Sequence, residues 1–121
     1  MKTRADFVRA AQGLRRRTPS LTLEVCPTPE PQAHENAVRF GVTASRKVGG
    51  AVQRNRAKRR LRAAAHAVLP LSAVGGNDYV LVAQRDTLTK TFEALVSDLA
   101  RAVRTVHAGA RAPLRASREQ S

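Results

Sequence analysis

Apolar and polar positions alternate twice in the first third of the chain, and apolar residues recur at helical spacing in three other places. Phe7, Ala10, Ala11 and Leu14 stand at i, i+3, i+4 and i+7. That spacing predicts a short helix over 3–12 with one stripe on a core, and Gly13 is placed to end it. Leu21-Thr22-Leu23-Glu24-Val25-Cys26 alternates as a half-buried strand does. Pro27, Pro29 and Pro31 stop it and predict a loop to about Glu35. Val38, Phe40, Val42 and Ala44 then share one face of a second strand, predicted to pair antiparallel with the first through the proline loop.

From Val52 to Leu69 the period changes to that of a helix. Ala57, Leu61, Ala64, Ala65 and Val68 make its apolar stripe, and Pro70 is predicted to end it. Tyr79-Val80-Leu81-Val82-Ala83 is a continuous apolar run, as in a central strand covered on both faces. A last helix begins near Thr89 or Thr91, either of which can cap it, with Leu88, Phe92, Leu95, Val96, Leu99 and Val103 as its buried stripe. The order helix, strand, strand, helix, strand, helix predicts an α+β sandwich, one small sheet with helices packed on it. The predicted domain spans 1–107, and 108–121, where the chain turns to Gly, Ala, Pro and Arg, is predicted to be a basic disordered tail.

Charge sharpens this picture. The 121 residues carry 22 Lys and Arg against nine Asp and Glu, a formal net charge of +13. Such a balance points first to a nucleic-acid partner, because a compact domain repels itself unless a polyanion neutralises it. Between Asn36 and Asn77 there are nine Lys or Arg and no acid. A surface that only solvates mixes its signs, so this half is kept basic for a purpose. Cys26 is alone, which forbids an intramolecular disulfide and fits a reducing compartment. No apolar stretch approaches the ~20 residues of a membrane span. The expected location is the cytoplasm.

The basic half concentrates in Ser45 to Arg62, where a Gly49-Gly50 turn feeds directly into the predicted helix. Six cations lie in the nine residues Arg54–Arg62, with no Glu at i±4 to pair them. Arg forks match phosphate oxygens in pairs, and the glycine turn with its unpaired helix-start N–H groups adds an anion pocket. Asn55 either bonds a ribose or base edge or fastens the loop to the helix start. Arg15-Arg16-Arg17, predicted in a loop, is either a solvated cluster or an RNA contact. Contact with about six phosphates predicts a log–log salt slope on the order of −5.

Phe40-Gly41-Val42 through Arg62 resembles the signature of the bacterial ribonuclease P protein family, with its R-N-R element at Arg54-Asn55-Arg56. Arg4-Ala5-Asp6-Phe7, Asp78 to Ala83 and Leu88 to Val103 resemble the family's first helix, third strand and last helix. The resemblance implies a fold of the ribosomal S5 domain 2-like kind, with a left-handed βαβ crossover made by the basic helix. It implies a protein that binds a catalytic RNA subunit and precursor tRNA, with the RNA removing the 5′ leader. Mg²⁺ would be held by the RNA and substrate rather than by a protein site. Carried over by position, the RNA-facing residues are Arg46, Lys47, Arg54, Asn55, Arg56, Lys58, Arg59 and Arg62. The leader cleft would hold Phe7, Leu23, Val25 and Arg85. The second common aromatic of the first helix is missing, with Ala11 nearest, and Phe7 serves either the cleft or the core. Where the family usually has Arg after the third strand, this chain has Gln84 and then Arg85.

Other chemistry finds no residues in the sequence. His34, His66 and His107 are scattered without metal-ligand spacing, and no paired carboxylates lie in the basic half. No Ser/His/Asp arrangement or Walker loop points to a small-molecule substrate. A ribosomal-type RNA-binding protein of similar fold is the alternative. A helix-turn-helix DNA regulator needs a helix before its recognition helix, and a strand is predicted at that place. A membrane-surface helix needs a stronger apolar stripe than Ala57, Ala64 and Ala65 supply.

Overall fold

A computed structural model of the chain describes residues 13–28 and 38–109. Four strands, β1 (Leu14–Arg17), β2 (Leu21–Pro27), β3 (Val38–Thr43) and β4 (Asn77–Ala83), form one sheet in the order β1-β2-β4-β3. Helix α1 (Ala51–Ser72) joins β3 to β4. The short α2 (Asp86–Thr89) and the long α3 (Phe92–Gly109) follow. The predicted helix over 3–12 and the tail from 110 onward lie outside the described residues.

The core sits between one face of the sheet and helices α1 and α3. Leu21, Leu23 and Val25 of β2 stand opposite Ala83, Leu81 and Tyr79 of β4, and all six face the helices. Ala57, Leu61, Ala64, Ala65 and Val68 of α1 meet them with Leu95, Leu99, Ala102, Val103 and Val106 of α3. The alternate residues Cys26, Val80 and Val82 form a small cluster on the opposite face. On that face too Val80 is buried and Val82 is half-buried, in keeping with the unbroken apolar run of β4. Thr91 caps α3, its Oγ1 accepting from the Ala94 N–H at 3.1 Å. Near the far end of α3, Tyr79 Oη and His107 Nε2 share a hydrogen bond of 2.7 Å that ties the helix to the sheet.

The structure corrects several expectations. β2 and β3 do not pair: β4 lies between them, antiparallel to β2 and parallel to β3. The doubly apolar strand takes the centre, and a parallel neighbour then needs a long crossover, which α1 supplies. Residues 14–17 are an edge strand paired with β2 rather than a loop. Its three arginines are typical of an edge protected from further pairing. Gly13 belongs to this hairpin, because a Cβ there would overlap the Val25 carbonyl oxygen. Pro70 lies inside α1, which continues to Ser72. Pro70 has no N–H to donate, yet the helix closes beyond it, the Ala73 N–H reaching the Leu69 carbonyl at 2.9 Å. Phe92 opens α3 at 40% exposure, outside the buried stripe.

Candidate nucleic-acid interface

The turn before α1 is built tightly. Val48 is buried as its anchor, and its N–H donates to the Ser45 carbonyl at 3.0 Å. The Gly49 N–H donates to the Arg46 carbonyl at 3.2 Å. Gly49 has φ 147, and a Cβ there would meet Gln53 Cβ at 2.8 Å, so both backbone and space demand glycine. Two arginines hold the turn from outside. Arg85 donates from Nε to the Lys47 carbonyl at 3.0 Å, and Arg54 donates from Nη1 to the Gly49 carbonyl at 3.4 Å. The helix start has no side-chain cap and no acid in its first turn. Its first N–H groups and its positive dipole end are therefore available to an anion.

Arg46, Lys47, Asn55, Arg56, Arg59 and Arg62 are exposed, and Arg54 and Lys58 are half-buried. Among the described residues none of these seven cations has a carboxylate within ion-pair distance. The pairs present there are Arg15 with Glu24, Arg39 with Asp78, and Arg101 with Asp98 three residues before it on α3. Arg60 differs from the other helix cations. It donates from Nε to the Thr87 carbonyl at 2.9 Å and from Nη2 to the Lys90 carbonyl, so it fastens α1 to α2. The Asn55 side chain makes no hydrogen bond within the described residues; Arg54 and Arg85 hold the turn in its place.

Where the turn meets the sheet face away from the helices there is an open cleft of about 500 Å³. Arg15, Arg17, Lys47 and Arg85 line it together with Thr22, Ser45, Val82 and Gln84. Arg15 and Arg17 are two residues apart on β1 and so share a face, opposite Glu24 and Thr22 of β2. Arg15 lies 3.6 Å from the Glu24 carboxylate. Glu24 is buried, and that burial pushes its carboxyl above the ordinary value of 4.5 although Arg15 pulls it down. Gln84 is structural: its Nε2 donates to Thr22 Oγ1 at 2.9 Å and to the Thr18 carbonyl at 3.2 Å. That leaves Arg85, one position on, to face the cleft.

Two residues expected in the cleft are elsewhere. Leu23 and Val25 are fully buried on the helix side of β2, and the cleft lies on the side of Thr22 and Glu24. Period-two alternation puts neighbours on opposite faces, so a leucine in the core takes itself out of the cleft. Phe7 lies outside the described residues. Arg15 and Arg17 are the cleft residues whose role the sequence left open. The signal that places them is the Thr18-Pro19-Ser20 turn, which folds residues 14–17 back along the alternating strand that follows. A strand, β3, precedes the basic helix, which is not the arrangement of a helix-turn-helix.

The family described as Ribonuclease P matches residues 1–107 of the chain. The ribonuclease P protein component of Paramagnetospirillum magneticum is 42% identical over 110 residues, covering 89% of this chain and 82% of that protein. That of Ruegeria pomeroyi is 43% identical over 109 residues, covering 89% and 86%. Among solved structures, the Staphylococcus aureus RNase P protein superposes with a TM-score of 0.69 at 23% identity, over 87% of this chain and 92% of that one. The Thermotoga maritima RNase P protein does so with a TM-score of 0.71 at 18% identity, over 88% and 96%. At those identities the two structures speak for the fold.

Proposed function

Because the chain belongs to the ribonuclease P protein family, we propose that α1 and its glycine turn bind the catalytic RNA subunit of ribonuclease P, while the cleft at Arg85 receives the 5′ leader of precursor tRNA. The observation that carries this reading is the unpaired state of Arg46, Lys47, Arg56, Lys58, Arg59 and Arg62 among the described residues. Cations left without carboxylates, beside an uncapped helix start, are arranged for phosphates. The cleft adds a second anionic path, with two arginines from an edge strand on one side and Lys47 and Arg85 on the other.

In this reading the RNA performs the cleavage and the protein lowers phosphate repulsion and holds the leader, in the cytoplasm. Among the described residues no three His, Cys, Asp or Glu side chains stand together as a metal site. Of the described acids near the cleft, Glu24 is engaged by Arg15, and Asp86 stands on the rim. That donor set does not fit a protein-held Mg²⁺, so the proposal leaves the ion with the RNA and the substrate. No helix of the described residues is long and apolar enough to cross a membrane.

The test mixes the protein, a bacterial ribonuclease P RNA and a leader-bearing precursor tRNA at low Mg²⁺. Leader removal is expected to be fast only with both macromolecules present. A rate that the protein leaves unchanged overturns the proposal.

A further inference from the structure

The cations of α1 stop halfway along it. From Ala63 to Leu71 the helix has no Lys, Arg, Asp or Glu. Yet Asn55, Arg59, Arg62, His66 and Pro70, at steps of four, three, four and four, are all exposed. At 3.6 residues per turn they make one stripe about 22 Å long. The stripe ends at a groove of about 130 Å³ between α1 and β3, lined by Val38, Phe40, Ala65, His66, Leu69 and Pro70. Phe40 and His66 meet there edge to face, with centroids 5.4 Å apart and planes at 89°. Among the described residues the His66 ring nitrogens make no hydrogen bond.

We propose that this groove takes one unpaired nucleobase of the RNA whose backbone lies on Arg59 and Arg62, stacked on the His66 ring. The inference rests on the ribonuclease P RNA reading above. RNA is recognised chiefly through unstacked bases laid on aromatic side chains, and His and Phe are among the rings that serve. Arg62 stands one helical turn from His66, so a nucleotide whose phosphate meets the guanidinium has its base beside the groove. The groove's small volume admits a single flat ring system. A second copy of the chain is a poor occupant, because each copy carries +13 and the groove continues the basic stripe.

The experiment measures affinity for a bacterial ribonuclease P RNA transcript across a salt series, with the full-length protein. His66→Ala and His66→Gln are expected to weaken binding about tenfold, the scale of one base stack, with the salt slope unchanged. His66→Phe is expected to bind as the parent does. In chemical probing, a base shielded by the parent protein should become reactive with His66→Ala. Because His66 is exposed, all three variants are expected to keep the parent's melting temperature. Arg59→Ala with Arg62→Ala tests the underlying reading separately, by a lower salt slope. If the His66 variants bind as the parent does while the arginine pair does not, the groove is not a base site and the ridge reading stands. If His66→Ala lowers the slope instead, His66 acts as a cation and the inference fails. If no variant changes binding, both readings fail.

Discussion

The Nε of Arg85 donates to the carbonyl oxygen of Lys47 at 3.0 Å, and this bond joins the end of β4 to the turn that starts the basic helix. The same two residues line the cleft. One guanidinium therefore borders the proposed leader path and braces the proposed RNA-binding turn. Arg85→Ala is expected to raise the holoenzyme's dissociation constant for precursor tRNA severalfold, with little change for tRNA lacking a leader. Arg85→Lys should not restore it, because an ammonium cannot both brace the carbonyl and present a planar fork. Paired binding curves with and without the leader check this. Equal effects on both ligands would show that Arg85 serves only the turn.

The ridge on α1 makes a second expectation. Changing Arg56, Lys58 and Arg62 together to Ala removes three cations that have no acidic partner within the described residues. The slope of log affinity against log salt should fall by about 0.9 for each phosphate no longer met, hence by about 3 in all. Stability should hold or rise, since Ala is the better helix former and like charges are removed. Salt-dependent binding beside a urea melt separates the two effects. A melted fold with intact affinity per folded molecule would mark these residues as structural.

Much of this arrangement was legible because its signals are local. The stripe of Ala57, Leu61, Ala64, Ala65 and Val68 marks α1, and the apolar run at Tyr79 to Ala83 marks the central strand. Strand order was not legible. The partners of Val38 and Thr43 are Asn77 and Val82, and the whole crossover helix lies between them in sequence. The hairpin at Leu14 to Val25 was hidden by three arginines, which read as loop until an edge strand gives them a reason. Leu23 and Val25 show a further limit. Alternation tells which residues share a face, but only the packed helices decide which face is the core.

Tyr79 offers a spectroscopic expectation, because it is the chain's one tyrosine and there is no tryptophan. Its ring is fully buried, and its hydroxyl accepts from the Val74 N–H at 2.8 Å and bonds His107. Burial pushes the phenol up to about 12, although hydrogen bonds to Val74 and Asn77 oppose the shift. The folded state therefore holds the phenolic proton more tightly than the unfolded chain does. Stability should fall as pH rises from about 10 toward 12, and be unaffected by this group below that window. Tyrosinate absorbance should appear near pH 12 in the folded protein and near pH 10 in urea. Tyr79→Phe should cost about 1–3 kcal/mol at neutral pH, by stranding the partly buried Val74 N–H, and should remove this group's share of the alkaline dependence.

Glu24 carries the last expectation. It lies buried on β2, facing Arg15 across the hairpin at 3.6 Å, and Arg15 itself is largely exposed. Desolvation raises the carboxyl and the guanidinium lowers it, and the net direction is upward from 4.5. The folded protein then binds this proton more tightly than the unfolded chain. Its contribution to stability is best below the unfolded value, declines as pH rises through the raised value, and stays reduced at neutral pH. Glu24→Gln removes that decline, so its stability relative to the parent should be greater at about pH 7 than at about pH 4, by urea unfolding at both. The substitution also releases Arg15 from its carboxylate at the edge of the cleft, where a phosphate can take it. Leader-dependent affinity should rise as the protein becomes more stable at neutral pH. A variant weaker than the parent on both measures at neutral pH would show that the ion pair outweighs burial and that Glu24 aims Arg15 rather than restraining it.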